Sequence, residues 1–136
     1  MNSTISNQIR KVWQDVHSPE GLPFPETVTR LMNLGVERYH VDYTAQTITA
    51  YVGHDVHAAP VDSLVPIEGA PSWNAEKIKE SLRQVQSGSI SYGEFSKGII
   101  DGGVTNYWAY LAGKRVIYMG RYGDIHVEWF PGQKKD

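Results

Sequence analysis

Apolar residues recur along this chain with two alternating periods. Ile5, Ile9, Val12, Trp13 and Val16 share one helical face, with Ser3 or Thr4 opening the helix and Pro19 and Gly21 closing it. Val28, Leu31 and Met32 repeat the pattern after Pro25, a residue suited to a first helical turn. Gly35 fits the position just past that helix, where a left-handed backbone is wanted. The period then drops to two. Tyr39, Val41 and Tyr43 alternate with Arg38, His40 and Asp42, and a second strand over Thr47–Val52 follows a short turn at Ala45-Gln46.

The same succession returns further on. Ile78, Leu82 and Val85 line a third helix that starts at Ser72 or Asn74 and stops at Gly88. Ser91 and Glu94 form a capping box for a fourth, lined by Phe95, Ile99 and Ile100 and closed by Gly102-Gly103. Residues Tyr107 to Pro131 then read as a three-stranded meander. A two-residue loop at Gly113-Lys114 places Trp108 opposite Met119 and Ala109 opposite Tyr118. A second at Tyr122-Gly123 places Met119 opposite His126 and Ile117 opposite Glu128. Alternation then gives a core face of Ala109, Leu111, Val116, Tyr118, Val127 and Trp129. Trp108, Tyr110, Ile117, Met119, His126 and Glu128 fall on the other face, which is too apolar for a plain solvent surface.

Sliding the chain on itself brings Glu26 onto Glu94, Gly35 onto Gly103, Val36 onto Val104, Tyr39 onto Tyr107 and Ile48 onto Val116. This suggests two ααββ halves, pseudo-repeats over 1–68 and 69–136, within a single α+β domain spanning 1–136. The expected architecture is an antiparallel sheet of about five strands with helices packed on one face. Between the halves, Gly53 to Ser72 carries Pro60, Pro66 and Pro71. It reads as a lid or as a loop hiding a short strand near Val61–Ile67.

Composition narrows the function classes. A net charge of -2 supplies no basic footprint, so no nucleic-acid partner is expected. The absence of cysteine excludes disulfides and thiolate chemistry. No apolar run approaches a membrane span, and the first residues lack the apolar segment of a signal peptide, so no membrane partner and a cytoplasmic location are expected. His54-Asp55-Val56-His57 has the residue types of a metal site, but two imidazoles and one acid in a loop lack any specific ligand spacing, and neither metal nor cofactor is assigned.

The candidate chemistry gathers on the helix-free face. His126 and Glu128, two apart on one strand, let a carboxylate orient an imidazole, and the repeat brings His40 and Asp42 to the positions of Trp108 and Tyr110. These four are the candidate catalytic residues. Trp108, Tyr110, Ile117, Met119, Tyr51 and Arg121 are the candidate binding residues. Arg121 and Asp124 flank the second turn and read as a cross-strand ion pair.

Gly113-Lys114-Arg115-Val116, Tyr118, Gly120-Arg121, Gly123-Asp124 and His126-Val127-Glu128 with Phe130-Pro131 resemble the motif of a small uncharacterised bacterial domain family, some of whose members are labelled phage-envelope-like. Gly35-Val36, Tyr39 and Asp42 resemble the family's earlier signature. The resemblance spans most of the chain and implies no catalytic residue. Two functions therefore stand side by side: a small binding or regulatory protein that self-associates as a homodimer or larger, and an enzyme acting on a small-molecule ligand by acid–base chemistry at the His/Glu/Asp cluster.

Overall fold

The computed structural model describes residues 3–60 and 72–132. Helices α1 (Ser3–Val16) and α2 (Phe24–Asn33) precede strands β1 (Arg38–Asp42), β2 (Thr47–Val52) and β3 (Asp55–Pro60). Helices α3 (Ala75–Gln86) and α4 (Tyr92–Asp101) precede β4 (Val104–Tyr110), β5 (Arg115–Gly120) and β6 (Ile125–Trp129). The strands form one antiparallel sheet in the order β3-β2-β1-β4-β5-β6. No described helix is long and apolar enough to cross a membrane.

The sheet has six strands rather than about five. The additional strand, β3, uses Asp55–Pro60, the stretch read from sequence as the start of a long loop. The strand expected near Val61–Ile67 lies outside the described residues. Each half thus runs ααβββ, and the halves meet at the β1–β4 seam, where Tyr39 faces Ala109 and Val41 faces Tyr107. The spans match closely: Phe24 corresponds to Tyr92 and Asn33 to Asp101, Thr47 to Arg115 and Val52 to Gly120. Gln46 and Lys114, at matching places in the two first hairpins, both take a left-handed conformation with φ of 57° and 62°.

Local chemistry explains the helix ends. The Asn74 side chain accepts from Lys77 N–H at the start of α3, and Ser91 and Glu94 cap α4 reciprocally. Gly35 ends α2 in a Schellman arrangement, its N–H donating to Met32 C=O while Val36 N–H donates to Leu31 C=O. Gly103 occupies the same place after α4, and the two glycines have φ of 89° and 102°.

All four helices contribute to one core on one side of the sheet. Ile9, Val12 and Trp13 from α1, Leu31 from α2, Ile78 and Leu82 from α3, and Phe95 and Ile99 from α4 join Tyr39, Val41, Ile48, Ala109, Val116 and Tyr118 from the strands. Each fully buried aliphatic side chain here contributes about 1.5–3 kcal/mol. Asp15 of α1 pairs with Lys11 at 3.1 Å and Arg30 of α2 at 2.7 Å, tying the first two helices together.

Candidate functional site

The opposite face of the sheet is built by three rows of six side chains. Cross-strand pairing sets them, because directly opposed residues point the same way. One row runs Val56, Tyr51, Arg38, Tyr110, Arg115, Trp129. The next runs Ala58, Thr49, His40, Trp108, Ile117, Val127, and the third Pro60, Thr47, Asp42, Asn106, Met119, Ile125. Most of these residues are half-buried by their neighbours; Val56 and Ile125 are 57% and 60% exposed.

The centre of this face is a continuous set of rings. Trp108 lies 4.5 Å from His40, 5.6 Å from Tyr51 and 5.9 Å from Tyr110, measured between ring centroids. The Arg38 guanidinium sits 4.3 Å over the Tyr51 ring, and that of Arg115 sits 3.9 Å over Trp129. Arg38 also pairs with the neighbouring Glu37. Arg115 has no carboxylate partner among the described residues; its Nε donates to Gly113 C=O at 3.2 Å. The two guanidiniums thus stand beside two carboxylates: Glu37, paired with Arg38, and Asp42, which accepts from Ala45 N–H and so serves its own hairpin.

The six binding candidates distribute cleanly. Trp108, Tyr110, Ile117, Met119 and Tyr51 share the open face. Arg121 is exposed in the β5–β6 loop and, among the described residues, makes no ion pair with Asp124. Sequence pairing set the β4–β5 register two residues off: Trp108 faces Ile117 rather than Met119. A shift of two leaves every side chain on its expected face.

The β5–β6 register is off by one, and that reverses β6. Gly120 N–H donates to Asp124 C=O and Gly123 N–H to Gly120 C=O, so the loop holds three residues, Arg121 to Gly123, with Gly123 left-handed at φ 89°. His126 accordingly faces Tyr118 instead of Met119, and Glu128 faces Val116 instead of Ile117. Both lie on the helix-covered side, while Val127 and Trp129, expected in the core, lie on the open side. The four acid–base candidates are thus split by the sheet: His40 and Asp42 on one face, His126 and Glu128 on the other.

Each pair has its own partners. His40 Nε2 and Asn106 Oδ1 are 2.9 Å apart, and Asn106 Nδ2 donates to Thr105 Oγ1. His126 Nε2 lies 3.2 Å from Glu128 Oε1, whose other oxygen accepts from Gln86 Nε2 at 3.2 Å. The His126 ring also stacks on Tyr118, centroids 6.4 Å apart at 25°. Asn106, Trp129 and Ile125 were not among the sequence candidates. The signal for the last two was the alternation in β6 itself, read in the wrong phase.

The covered side carries a cluster of buried tyrosines. The hydroxyls of Tyr92 and Tyr107 are 2.5 Å apart, and Tyr43 donates to Ser96 Oγ at 3.0 Å. Burial pushes the phenols of Tyr39, Tyr43, Tyr92, Tyr107 and Tyr118 above their ordinary range, so these hydroxyls stay protonated and serve packing and hydrogen bonding. His57 also turns inward, its Nδ1 2.6 Å from Ser6 Oγ, whereas His54 and Asp55 are exposed. No group of three or more potential ligands is placed to hold a metal among the described residues. A recess beside α1, lined by Ser6, Arg10, Trp13 and His57, measures about 10 Å³, room for roughly one water.

The match to known families falls across this whole arrangement. A family model described as "Protein of unknown function (DUF1398)" matches residues 10–128. The chain belongs to that family. The matched region takes in both ααβββ halves from the middle of α1 to Glu128, and with them nearly all of the open face. No curated protein matches the chain.

Proposed function

We propose that this protein is a small self-associating binding protein, that its working surface is the open face of the sheet, and that its halves descend from a duplicated ααβββ unit. The observation that carries this reading is the ring-and-guanidinium row Tyr51, Arg38, Tyr110, Arg115, Trp129 above Trp108 and Ile117, with no described element packed over it. Aromatic and arginine side chains are the types enriched where proteins bind one another. The rows of rings and guanidiniums run across all six strands, an extent that suits a protein segment. The rings, together with the Arg115 guanidinium that has no carboxylate partner among the described residues, favour a segment that pairs aromatic with acidic residues.

The character of the face argues for self-association: an apolar and aromatic sheet surface, with Val56 and Ile125 57% and 60% exposed, marks an interface rather than a plain solvent surface. Acid–base catalysis by His126, Glu128, His40 and Asp42 is the weaker reading, because the two pairs lie on opposite sides of the sheet.

Light scattering at micromolar to submillimolar concentration tests self-association, with twice the 15.3 kDa chain mass expected. Peptides combining Phe or Tyr with Asp or Glu, titrated against tryptophan fluorescence, test the face. A saturable response should weaken in Arg115→Gln and vanish in Trp108→Ala. A strictly monomeric protein removes the self-association, and peptides that give no response up to about 1 mM remove the partner class.

A further inference from the structure

Strand β6 is an outer strand, paired only with β5 among the described residues. Phe130 N–H donates to Lys114 C=O, and Gly120 N–H to Asp124 C=O. Inward hydrogen bonding in an antiparallel pair falls on alternate residues, so Asp124, His126, Glu128 and Phe130 bond to β5. Ile125, Val127 and Trp129 turn their backbone N–H and C=O groups outward, a free template for another strand. Exposed edges are commonly blunted by shortness, charge, Pro or a bulge; the five residues Ile125–Trp129 contain no Lys, Pro or bulge, and their one charged acid, Glu128, is matched by His126 of a second copy. The opposite edge strand, β3, begins with Asp55 and ends with Pro60.

The sequence of β6 is complementary to itself. Laid antiparallel on a second copy about Val127, Ile125 meets Trp129, His126 meets Glu128, and Val127 meets Val127. Each outward-facing backbone position then meets another, and three such pairs exchange about six hydrogen bonds. On the helix-covered side, two His126–Glu128 pairs form across the junction. On the open side, two Ile125–Trp129 contacts and the central valines close it. Ile125, 60% exposed in one copy, becomes covered. The two-fold relation makes the contact isologous and closed.

We infer that two copies of this chain join through β6, forming one continuous twelve-stranded sheet whose open faces merge into a single surface. This rests on the self-association proposed above and names the surface that performs it. The merged face is twice as wide as that of one copy. Residues of both copies then lie side by side on it, with Trp129 of one beside Ile125 and Met119 of the other.

The chain has no cysteine, which gives a clean test. Val127→Cys places one thiol on the two-fold axis with Cα atoms about 5.5 Å apart, within disulfide range. Ile125→Cys places its thiols about 13 Å apart, four residues removed along paired strands. Mild oxidation should therefore cross-link Val127→Cys rapidly and Ile125→Cys hardly at all. Sedimentation velocity of the unmodified backbone series reads the charge pairs. Glu128→Lys, which sets a lysine against His126 of the other copy, should weaken dimerisation about tenfold. The double variant His126→Glu with Glu128→Lys should restore it. A monomer at about 200 µM overturns both this inference and self-association. A dimer that cross-links equally from both positions, or is indifferent to Glu128→Lys, overturns the β6 junction and leaves self-association standing.

Discussion

Replacing Gly103 by alanine should destabilise this protein more than the same change at Gly35, although both glycines end equivalent helices. Both residues have left-handed backbones, with φ of 102° and 89°. Forcing a Cβ onto such a conformation costs about 1–2 kcal/mol at either site. The surroundings differ. A Cβ at Gly35 would lie 3.3 Å from Val52 Cγ1, a side-chain atom free to adjust. At Gly103 it would lie 2.8 Å from the Ser72 carbonyl oxygen and 3.1 Å from Trp73 Cα, both backbone. That backbone is held by Asn74, whose N–H donates to Gly102 C=O at 2.8 Å and whose side chain caps α3. Retreat from the new methyl would break those bonds, adding about 1–3 kcal/mol of overpacking. Gly35→Ala should therefore cost about 1–2 kcal/mol and Gly103→Ala about 2–5 kcal/mol. With a urea slope of about 2 kcal/mol per molar, the midpoints should fall by roughly 0.5–1 M and 1–2.5 M. Unchanged midpoints, or a larger loss at Gly35, would refute the reasoning.

Acid should destabilise the fold through His17. Burial lowers its pKa below the ordinary 6.5, opposed by the hydrogen bond from Nδ1 to Trp13 C=O, and its buried Nε2 has no partner among the described residues. A depressed folded-state value means that this contribution is complete above about pH 6.5 and is lost as the pH drops through the lower value. Urea midpoints measured from pH 7 to 5 should thus fall less steeply in His17→Phe than in the parent, and parallel slopes would sink the assignment. Helices α3 and α4 meet where Gly98 faces Ser81: a Cβ on Gly98 would lie 3.1 Å from Ser81 Cβ and closer still to its hydroxyl. Gly98→Ala should cost about 1–3 kcal/mol, and adding Ser81→Gly should recover most of it in a double-mutant denaturation series. Additive losses would show that the contact is not the cause.

Local chemistry made much of this protein legible from its sequence. The periods of three to four and of two located all four helices and five strands, because burying one face of an element demands that spacing. Gly35, Gly103 and the Ser91–Glu94 box marked helix ends through needs confined to a few neighbouring residues, and the likeness of the halves followed from their common order. The missing strand, β3, was hidden because its inward residues, His57 and Ala59, are not a strand's usual apolar pair. His57 becomes an inward residue only when Ser6, from the other end of the half, supplies its partner.

The candidate site divided along the same line. Strand β4 and strand β5 were assigned to the correct faces even with a misplaced register, since an even shift preserves facing. Strand β6 was reversed by a single loop residue. Arg121-Tyr122-Gly123 closes as three residues because Gly120 and Asp124 pair across it, a choice made by backbone hydrogen bonds that side-chain pattern does not encode. The strand's own composition was ambiguous: Ile125, Val127 and Trp129 suit a core, and His126 and Glu128 suit a surface. Only the tertiary structure, by setting Tyr118 and Gln86 beside His126 and Glu128, makes the polar pair acceptable under the helices and leaves the apolar set on the open face and free edge.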